Sequence, residues 1–219
     1  MACLLYPLFL GWPLFICFKL SYEKRTIIVR RVGPFTHELT KLKIGDIIYI
    51  RGPYGKDIIN FKNKVINLVG GGTGISPTYK IAKKYVADNK IRFFFGGKEK
   101  EDIFDINEFE KIGEVTIATE DGSLGTMGNV SDLLQSYDFP ETEEQIFINV
   151  GPRAMIESVY IHEKNLSEEE NIWVFIEYQT SCGVGICGKC ATEAGAISCV
   201  DGPFLRVSDA LNLKECKHR

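Results

Sequence analysis

The sequence predicts an α/β fold class in three parts. These are a partial antiparallel β-barrel over residues 1–58, a five-stranded parallel, doubly wound sheet over 59–177, and a small loop domain with its tail over 178–219. Three observations predict it. Short β-branched runs separated by Gly-Pro and Gly-Asp turns fill residues 26–50, the pattern of small antiparallel strands. From residue 65 onward, continuous apolar runs alternate with segments of helical spacing, as strands covered by helices on both faces require. Four of the seven cysteines then crowd into a glycine-rich stretch near the C-terminus.

Composition sets the outer bounds. A chain of 219 residues, 45% hydrophobic and 25% charged, has the length and apolar content to bury a sizeable core. A net charge of −3 without a basic stripe gives no footprint for nucleic acid. Residues 1–18 carry no charge, but Pro7, Gly11 and Pro13 interrupt the run of about 20 apolar residues that a membrane helix needs. The basic n-region and small-residue cleavage site of a signal peptide are missing too. The expectation for this stretch is a buried barrel strand with turns and no membrane association, a membrane or targeting segment being the alternative.

Taken in order, residues 26–32 are expected as a strand ended by Gly33-Pro34, and 35–42 as a short helix or turn. Gly45-Asp46 reads as a turn, 47–50 as a strand and 51–55 as a loop. The strands of the parallel sheet are expected at 65–69, 91–95, 114–118, 145–150 and 172–176. Between them, 77–87 has helical spacing, with Ser76 as N-cap and Pro77 at the first helical position. Weaker helical patterns lie at 106–111, 130–135 and 153–164, and 166–170 reads as a solvated loop.

The first strand of the sheet runs into Gly70-Gly-Gly-Thr-Gly-Ile-Ser-Pro77 and then a helix. Glycines let the backbone approach a pyrophosphate, and a helix N-terminus favours the anion. Two further loops follow strands on the same edge: Thr119-Glu-Asp-Gly-Ser-Leu-Gly125 and Gly151-Pro152. Ligands of open α/β sheets bind outside the carboxyl ends of the strands, so the three loops converge on one nucleotide crevice. Its candidate residues are Gly70, Gly71, Gly72, Thr73, Gly74, Pro77, Thr119, Asp121, Gly122, Ser123, Gly151 and Pro152.

Cys182, Cys187, Cys190 and Cys199 are spaced C-x4-C-x2-C-x8-C, with Gly183, Gly185 and Gly188 among them. Plant-type 2Fe–2S ferredoxins open with the same C-x4-C-x2-C run. Two irons and two sulfides need four thiolates converging on a small volume, and glycine supplies the turns with positive φ. A zinc site usually offers paired C-x2-C knuckles, and only Cys187 and Cys190 have that spacing. Disulfides need an oxidising compartment. The pattern favours a 2Fe–2S cluster and, with it, a reducing cytoplasm. His37, His162, His218, Cys3, Cys17 and Cys216 are given no part in the chemistry, and Glu177, five residues before Cys182, reads either as a cap or solvent contact or as a residue that positions the cluster loop.

Several of these motifs occur in this order in the ferredoxin–NADP reductase superfamily: Gly45-Asp46, Gly52-Pro53-x-Gly55, Gly70-Gly-Gly-Thr-Gly-Ile-x-Pro77, Thr119-x-Asp-Gly-Ser-x-Gly125 and Gly151-Pro152. Phe175-Ile-Glu-Tyr-Gln-Thr-Ser-Cys182 and Cys199-Val-Asp-Gly-Pro-Phe204 narrow the likeness. From about residue 26 to 205 the chain resembles the electron-transfer subunits of type B dihydroorotate dehydrogenases. The resemblance implies a partner catalytic subunit that oxidises dihydroorotate at an FMN, in a heterotetramer of two of each subunit serving pyrimidine biosynthesis. Electrons would pass through the 2Fe–2S cluster to FAD and then to NAD⁺. It also implies that Cys182, Cys187, Cys190 and Cys199 hold the cluster. Gly70 to Gly74 and the 119–125 loop would receive NAD, with Gly33 and Thr36 near the FAD pyrophosphate and Gly52 and Pro53 part of the flavin-side motif. The segment 183–188 would face the partner.

Two departures stand out. The family's barrel begins with strands upstream of residue 1, and its Arg-Pro-x-Ser flavin motif is matched best by Trp12-Pro13-Leu14-Phe15, which lacks the phosphate-pairing arginine and the hydroxyl. Either the true start lies upstream, or the reading frame of residues 1–20 is wrong, or FAD binding is weak; a start or frame problem with a shortened barrel is the expectation. The cysteine usual before the third Gly-Pro is Val150. The 96–101 loop mixes both charge signs, so the choice of NAD over NADP rests on the resemblance. The alternatives are an FAD/2Fe–2S reductase subunit of a hydrogenase or ferredoxin:NADP⁺ reductase complex, and a zinc-binding or regulatory module on a reductase scaffold.

Overall fold

The computed structural model describes residues 28–140, 142–176 and 178–212, together with the backbone of four short strands at 2–5, 14–16, 19–20 and 25–26. The N-terminal part holds β1 (Ala2–Leu5), β2 (Leu14–Ile16), β3 (Lys19–Leu20), β4 (Arg25–Thr26), α1 (Pro34–Leu39) and β5 (Ile50–Tyr54). Strand β1 pairs antiparallel with β2 on one side and β5 on the other, while β3 and β4 form a separate hairpin.

Three expectations for this part change. Among the described residues of the anticipated 26–32 strand, Thr26 is paired, as the second residue of β4, and 28–32 has no regular structure. Residues 47–49 are not a strand either, and Ile47 is 77% exposed. In both runs β-propensity lacks a buried face to pack against, and propensity without packing does not make a strand. Conversely the anticipated 51–55 loop is β5, because pairing with β1 outweighs the turn character of Gly52-Pro53, whose peptide bond is cis. Gly45 does lie in a turn, with φ +103° and Asp46 Oδ2 accepting from the Lys43 N–H at 2.7 Å.

The rest of the chain builds the sheet: β6 (Val65–Gly71), α2 (Ile75–Tyr85), β7 (Lys90–Gly97), α3 (Ile106–Glu110), β8 (Glu114–Thr119), β9 (Thr126–Met127), α4 (Val130–Ser136), β10 (Gln145–Val150), α5 (Arg153–Glu163), β11 (Ile172–Phe175), α6 (Ser198–Asp201), β12 (Leu205–Arg206) and α7 (Val207–Ala210). Strand order is β12-β11-β10-β6-β7-β8-β9. The five long strands are parallel and in the expected places. The two-residue edges, β9 parallel and β12 antiparallel, are additions too short for a sequence pattern.

Side chains alternate across the sheet. Phe93 and Phe95 join Ile66, Leu68, Ile81 and Phe109 on one face, and Phe94 joins Val69, Phe147, Ile156 and Val159 on the other. Each fully buried side chain of this size contributes about 1.5–3 kcal/mol, so the two-sided core makes this sheet the rigid frame on which the loops are carried.

Helix α2 starts two residues earlier than expected. Its N-cap is Gly74, and Ser76 and Pro77 are its second and third residues. The helical turn at Gly72–Gly74 feeds directly into it, and a proline in the first turn loses nothing because those N–H groups have no intrahelical partner. The cysteine segment does not hang free. Through β12 and α7, which lie beyond it in sequence, the chain returns to the edge of the sheet at β11.

Candidate functional site

The carboxyl ends of β6 and β10 meet closely. A Cβ on Gly74 would collide with the carbonyl oxygen of Val150, one on Gly71 with Met155 Sδ, and one on Gly151 would lie 2.7 Å from Met155 Cε. Only glycine permits this approach, and it opens a cleft of about 320 Å³ over the N-terminus of α2. Gly71, Gly72, Thr73, Gly74, Pro77, Gly151 and Pro152 line it, as the sequence pattern anticipates. Gly70 lies behind them in β6, where a Cβ would be 3.1 Å from Ile75 Cα. Its role is close packing of the strand on the helix.

Two cationic residues of the cleft carry no motif and were not anticipated: Arg30 and Arg153. Arg30 Nη1 lies 3.7 Å from the position of a Cβ on Gly72. Arg153, first residue of α5, pairs with Glu157 and with Glu193 of the cysteine segment, and both carboxylates raise its pKa. Arg30 beside a glycine turn and a helix N-terminus suits an anion, while the charge of Arg153 is offset by its two carboxylates.

The 119–125 loop stands on the same edge, away from the residues that line the cleft. Thr119 Oγ1 accepts from Leu124 N–H at 3.0 Å and donates to its carbonyl at 2.9 Å, closing the loop. Ser123 donates from its hydroxyl and N–H to Asp121 Oδ1, which holds that carboxyl below its usual range. Lys100 N–H donates to Ser123 Oγ at 2.8 Å, tying this loop to the one after β7. Gly122, with φ +71°, makes the turn. Gly33 and Thr36 also lie outside the cleft lining. The Thr36 hydroxyl accepts from Val32 and Gly33 N–H and donates to the Gly33 carbonyl, so it holds the turn into α1. Gly52 and Pro53 are on β5, between Arg51 and Tyr54, which meet the cysteine loop at Cys182 and Gly183.

That loop is built on three glycines of positive φ: Gly183 at +73°, Gly185 at +79° and Gly188 at +70°. Gly183 rests on Tyr54, where a Cβ would be 2.5 Å from the ring, and Gly185 rests on Val200, where it would be 2.8 Å from Cγ2. The turn aims N–H groups at sulfur: Val184 and Cys187 donate to Cys182 Sγ at 3.5 and 3.4 Å. Those donors, led by Val184, bring the Cys182 thiol down to about 6. Burial, and then the neighbouring Cys190, push Cys199 up to about 11. Cys190 is a neighbour of Cys199, and Cys187 of Cys182. Among the described residues no three His, Cys, Asp or Glu side chains converge on one point as a single metal ion would need. Four thiols in one glycine-rich loop, with N–H donors to Cys182 Sγ, suit a group held by four thiolates.

Trp12 and Pro13 of the flavin-motif counterpart, Cys17, Glu177 and Cys216 lie outside the described residues. Among the described residues no helix is long and apolar enough to cross a membrane.

Residues 68–160 match the family described as oxidoreductase NAD-binding domain. The protein named "Probable dihydroorotate dehydrogenase B (NAD(+)), electron transfer subunit" of Pyrococcus furiosus is 36% identical over 90% of this chain and 76% of its own length. The dihydroorotate dehydrogenase B (NAD(+)), electron transfer subunit of Listeria monocytogenes EGD-e is 34% identical over 90% of this chain and 79% of its own. The chain belongs to this family. Among solved structures, that of an NADH-dependent reduced ferredoxin-NADP oxidoreductase superposes with a TM-score of 0.83 at 29% identity, covering 97% of this chain and 79% of the other. A ferredoxin-NADP⁺ reductase from Plasmodium falciparum superposes with a TM-score of 0.63 at 18% identity over 80% of this chain and 82% of its own, which marks the shared fold.

Proposed function

We propose that this chain is an electron-transfer subunit. It would carry electrons from dihydroorotate oxidation at the FMN of a partner catalytic subunit, through a 2Fe–2S cluster and FAD, to NAD⁺. The observation that carries the reading is the coexistence, in a chain of this family, of a glycine-lined anion cleft and a four-cysteine loop packed on the strand β5. The cofactors supply the redox chemistry, and the chain supplies binding, spacing and potential.

Each element then has a task. Gly71, Gly72, Gly74 and Gly151 would admit the nucleotide backbone, the α2 N-terminus and Arg30 would face its phosphates, and the 119–125 loop, on the same sheet edge, would serve its far end. Cys182, Cys187, Cys190 and Cys199 would hold the cluster. Val184 and Ile186 are 57% and 84% exposed beside the exposed Cys187, an apolar rim suited to a partner that must bring its own cofactor close. A heterotetramer of two subunits of each kind follows the resemblance. The test is co-expression with the catalytic subunit: the purified complex is expected to reduce NAD⁺ with dihydroorotate, whereas either chain alone is not.

A second reading is favoured by one observation, the superposition of nearly the whole chain on the reduced ferredoxin-NADP oxidoreductase. In that reading the same cofactors serve a ferredoxin:NADP⁺ reductase complex. Co-purification separates the two. A dihydroorotate-oxidising partner supports the first, and a ferredoxin-linked or hydrogenase partner supports the second.

A further inference from the structure

The chain between the last two cysteines reaches the wall of the nucleotide cleft. Residues 191–197 fold back on themselves as a tight hairpin. Ala191 bridges Ile197 antiparallel, Thr192 N–H donates to the Ala196 carbonyl at 2.8 Å, and Thr192 Oγ1 accepts from Ala196 N–H at 3.0 Å. At the base, Ser198 N–H donates to the Cys190 carbonyl at 3.1 Å, so the hairpin is built directly onto Cys190 and Cys199. Thr192 Oγ1 donates to the Asp209 carbonyl at 2.7 Å and Glu193 Oε2 accepts from Asn212 N–H at 3.1 Å, which docks the hairpin beside α7. The other oxygen, Glu193 Oε1, accepts from Arg153 Nη1. Arg153 follows Gly151 and Pro152, and all three line the cleft. One ion pair thus joins the cleft wall to the hairpin.

We infer that the Arg153–Glu193 pair couples the nucleotide cleft to the cysteine loop, so that a nucleotide held against the Gly151–Arg153 wall steadies the 191–197 hairpin; the inference rests on the nucleotide reading above. The bond itself carries the coupling, whatever further partners Glu193 has. A guanidinium is a planar fork with fixed donor directions. Arg153 is held through Nε by Glu157 at 2.6 Å and through Nη1 by Glu193, so a displacement of the wall is passed to the hairpin. Glu157 stands on α5 with Arg153 and makes no link across. The side chains of Arg153 and Glu193 are 46% and 34% exposed, and a pair so exposed limits the coupling to about two- to fivefold. Coupling between sites is reciprocal, so whatever orders the hairpin from the cysteine side tightens nucleotide binding by the same factor.

The test is amide hydrogen exchange of the full, anaerobically purified chain with and without saturating NADH, its binding checked by calorimetric titration. In the wild type, NADH is expected to slow exchange across 191–197 by about two- to fivefold. Glu157→Gln, which lowers the charge beside Arg153 but leaves the bond to the hairpin, is expected to keep that slowing. Glu193→Ala is expected to lose it while still binding NADH. Slowing as large in Glu193→Ala as in the wild type overturns the inference, and so does its loss in Glu157→Gln. If Glu193→Ala does not fold, Arg153→Met cuts the same bond from the other side: lost slowing supports the inference and retained slowing overturns it. A wild-type chain that binds NADH without any slowing overturns the inference alone. One that does not bind NADH overturns the nucleotide reading with it.

Discussion

The side-chain amide of Asn149 donates to Glu163 Oε2 at 2.7 Å, with both residues wholly buried. Among the described residues, the remaining oxygens, Glu163 Oε1 and Asn149 Oδ1, have no hydrogen-bond partner. A single proton on Glu163 satisfies both at once, because acid and amide then donate to each other. Burial pushes the carboxyl from its ordinary 4.5 up to about 8, against the opposing effect of the Asn149 bond. Between those values the folded state holds a proton that the unfolded chain has released. The stabilisation is therefore complete below about 4.5 and is lost as pH rises through about 8. Glu163→Gln keeps the paired geometry without a titrating proton. It is expected to remove a slope approaching about 1.4 kcal/mol per pH unit and to be the more stable protein at pH 8. Denaturant unfolding at several pH values checks this, and parallel pH profiles for the two proteins would count against it.

Gly74 separates packing from chemistry at the nucleotide cleft. Its missing Cβ lets the α2 turn sit against the Val150 carbonyl, so Gly74→Ala must push the two loops apart. A loss of about 1–3 kcal/mol in stability is expected, with weakened NADH binding. Calorimetric titration with NADH measures the second effect. Wild-type affinity in Gly74→Ala would remove the close approach of β6 and β10 from the account.

Phe109 of α3 is the hub of one core face. Its ring makes edge-on contacts with Tyr79, Phe93 and Phe95 at centroid distances of 5.5, 5.1 and 4.9 Å. Phe109→Ala is expected to destabilise the protein by about 3–5 kcal/mol. A change of under about 1 kcal/mol in denaturant unfolding would mean that the face can collapse around the cavity.

Cys187 is exposed, so its replacement tests ligation without disturbing a core. Cys187→Ser is expected to leave thermal unfolding of the apo-protein unchanged while abolishing iron incorporation and electron transfer to NAD⁺ in the complex. Native-rate NAD⁺ reduction by that complex would remove Cys187 from the ligand set.

The parallel sheet was legible in the sequence because its strands are buried on both faces, and continuous apolar runs such as Ile91 to Phe95 record that directly. The cleft was legible for a related reason. Glycines at strand ends are recorded locally, and Gly71, Gly74 and Gly151 meet where the pattern anticipates. The N-terminal part was less legible. Residues 28–32 and 47–49 have strand composition without a buried face, and β5 has turn composition with a strand partner. Contacts across long separations leave no local pattern. Arg51 and Cys182 are 131 residues apart, and Arg30 reaches the cleft from a segment without a phosphate motif. Nor does Glu163, in an ordinary amphipathic helix pattern, announce that it faces Asn149.

The central claim is that the four cysteines hold a 2Fe–2S cluster in line with a nucleotide site. Iron, labile sulfide and zinc analysis of the anaerobically purified protein, with its visible spectrum before and after addition of NADH, tests it most directly. The account predicts two irons and two sulfides per chain, no stoichiometric zinc, and charge-transfer bands that bleach with NADH. One zinc per chain, with no sulfide and a featureless spectrum, would contradict it.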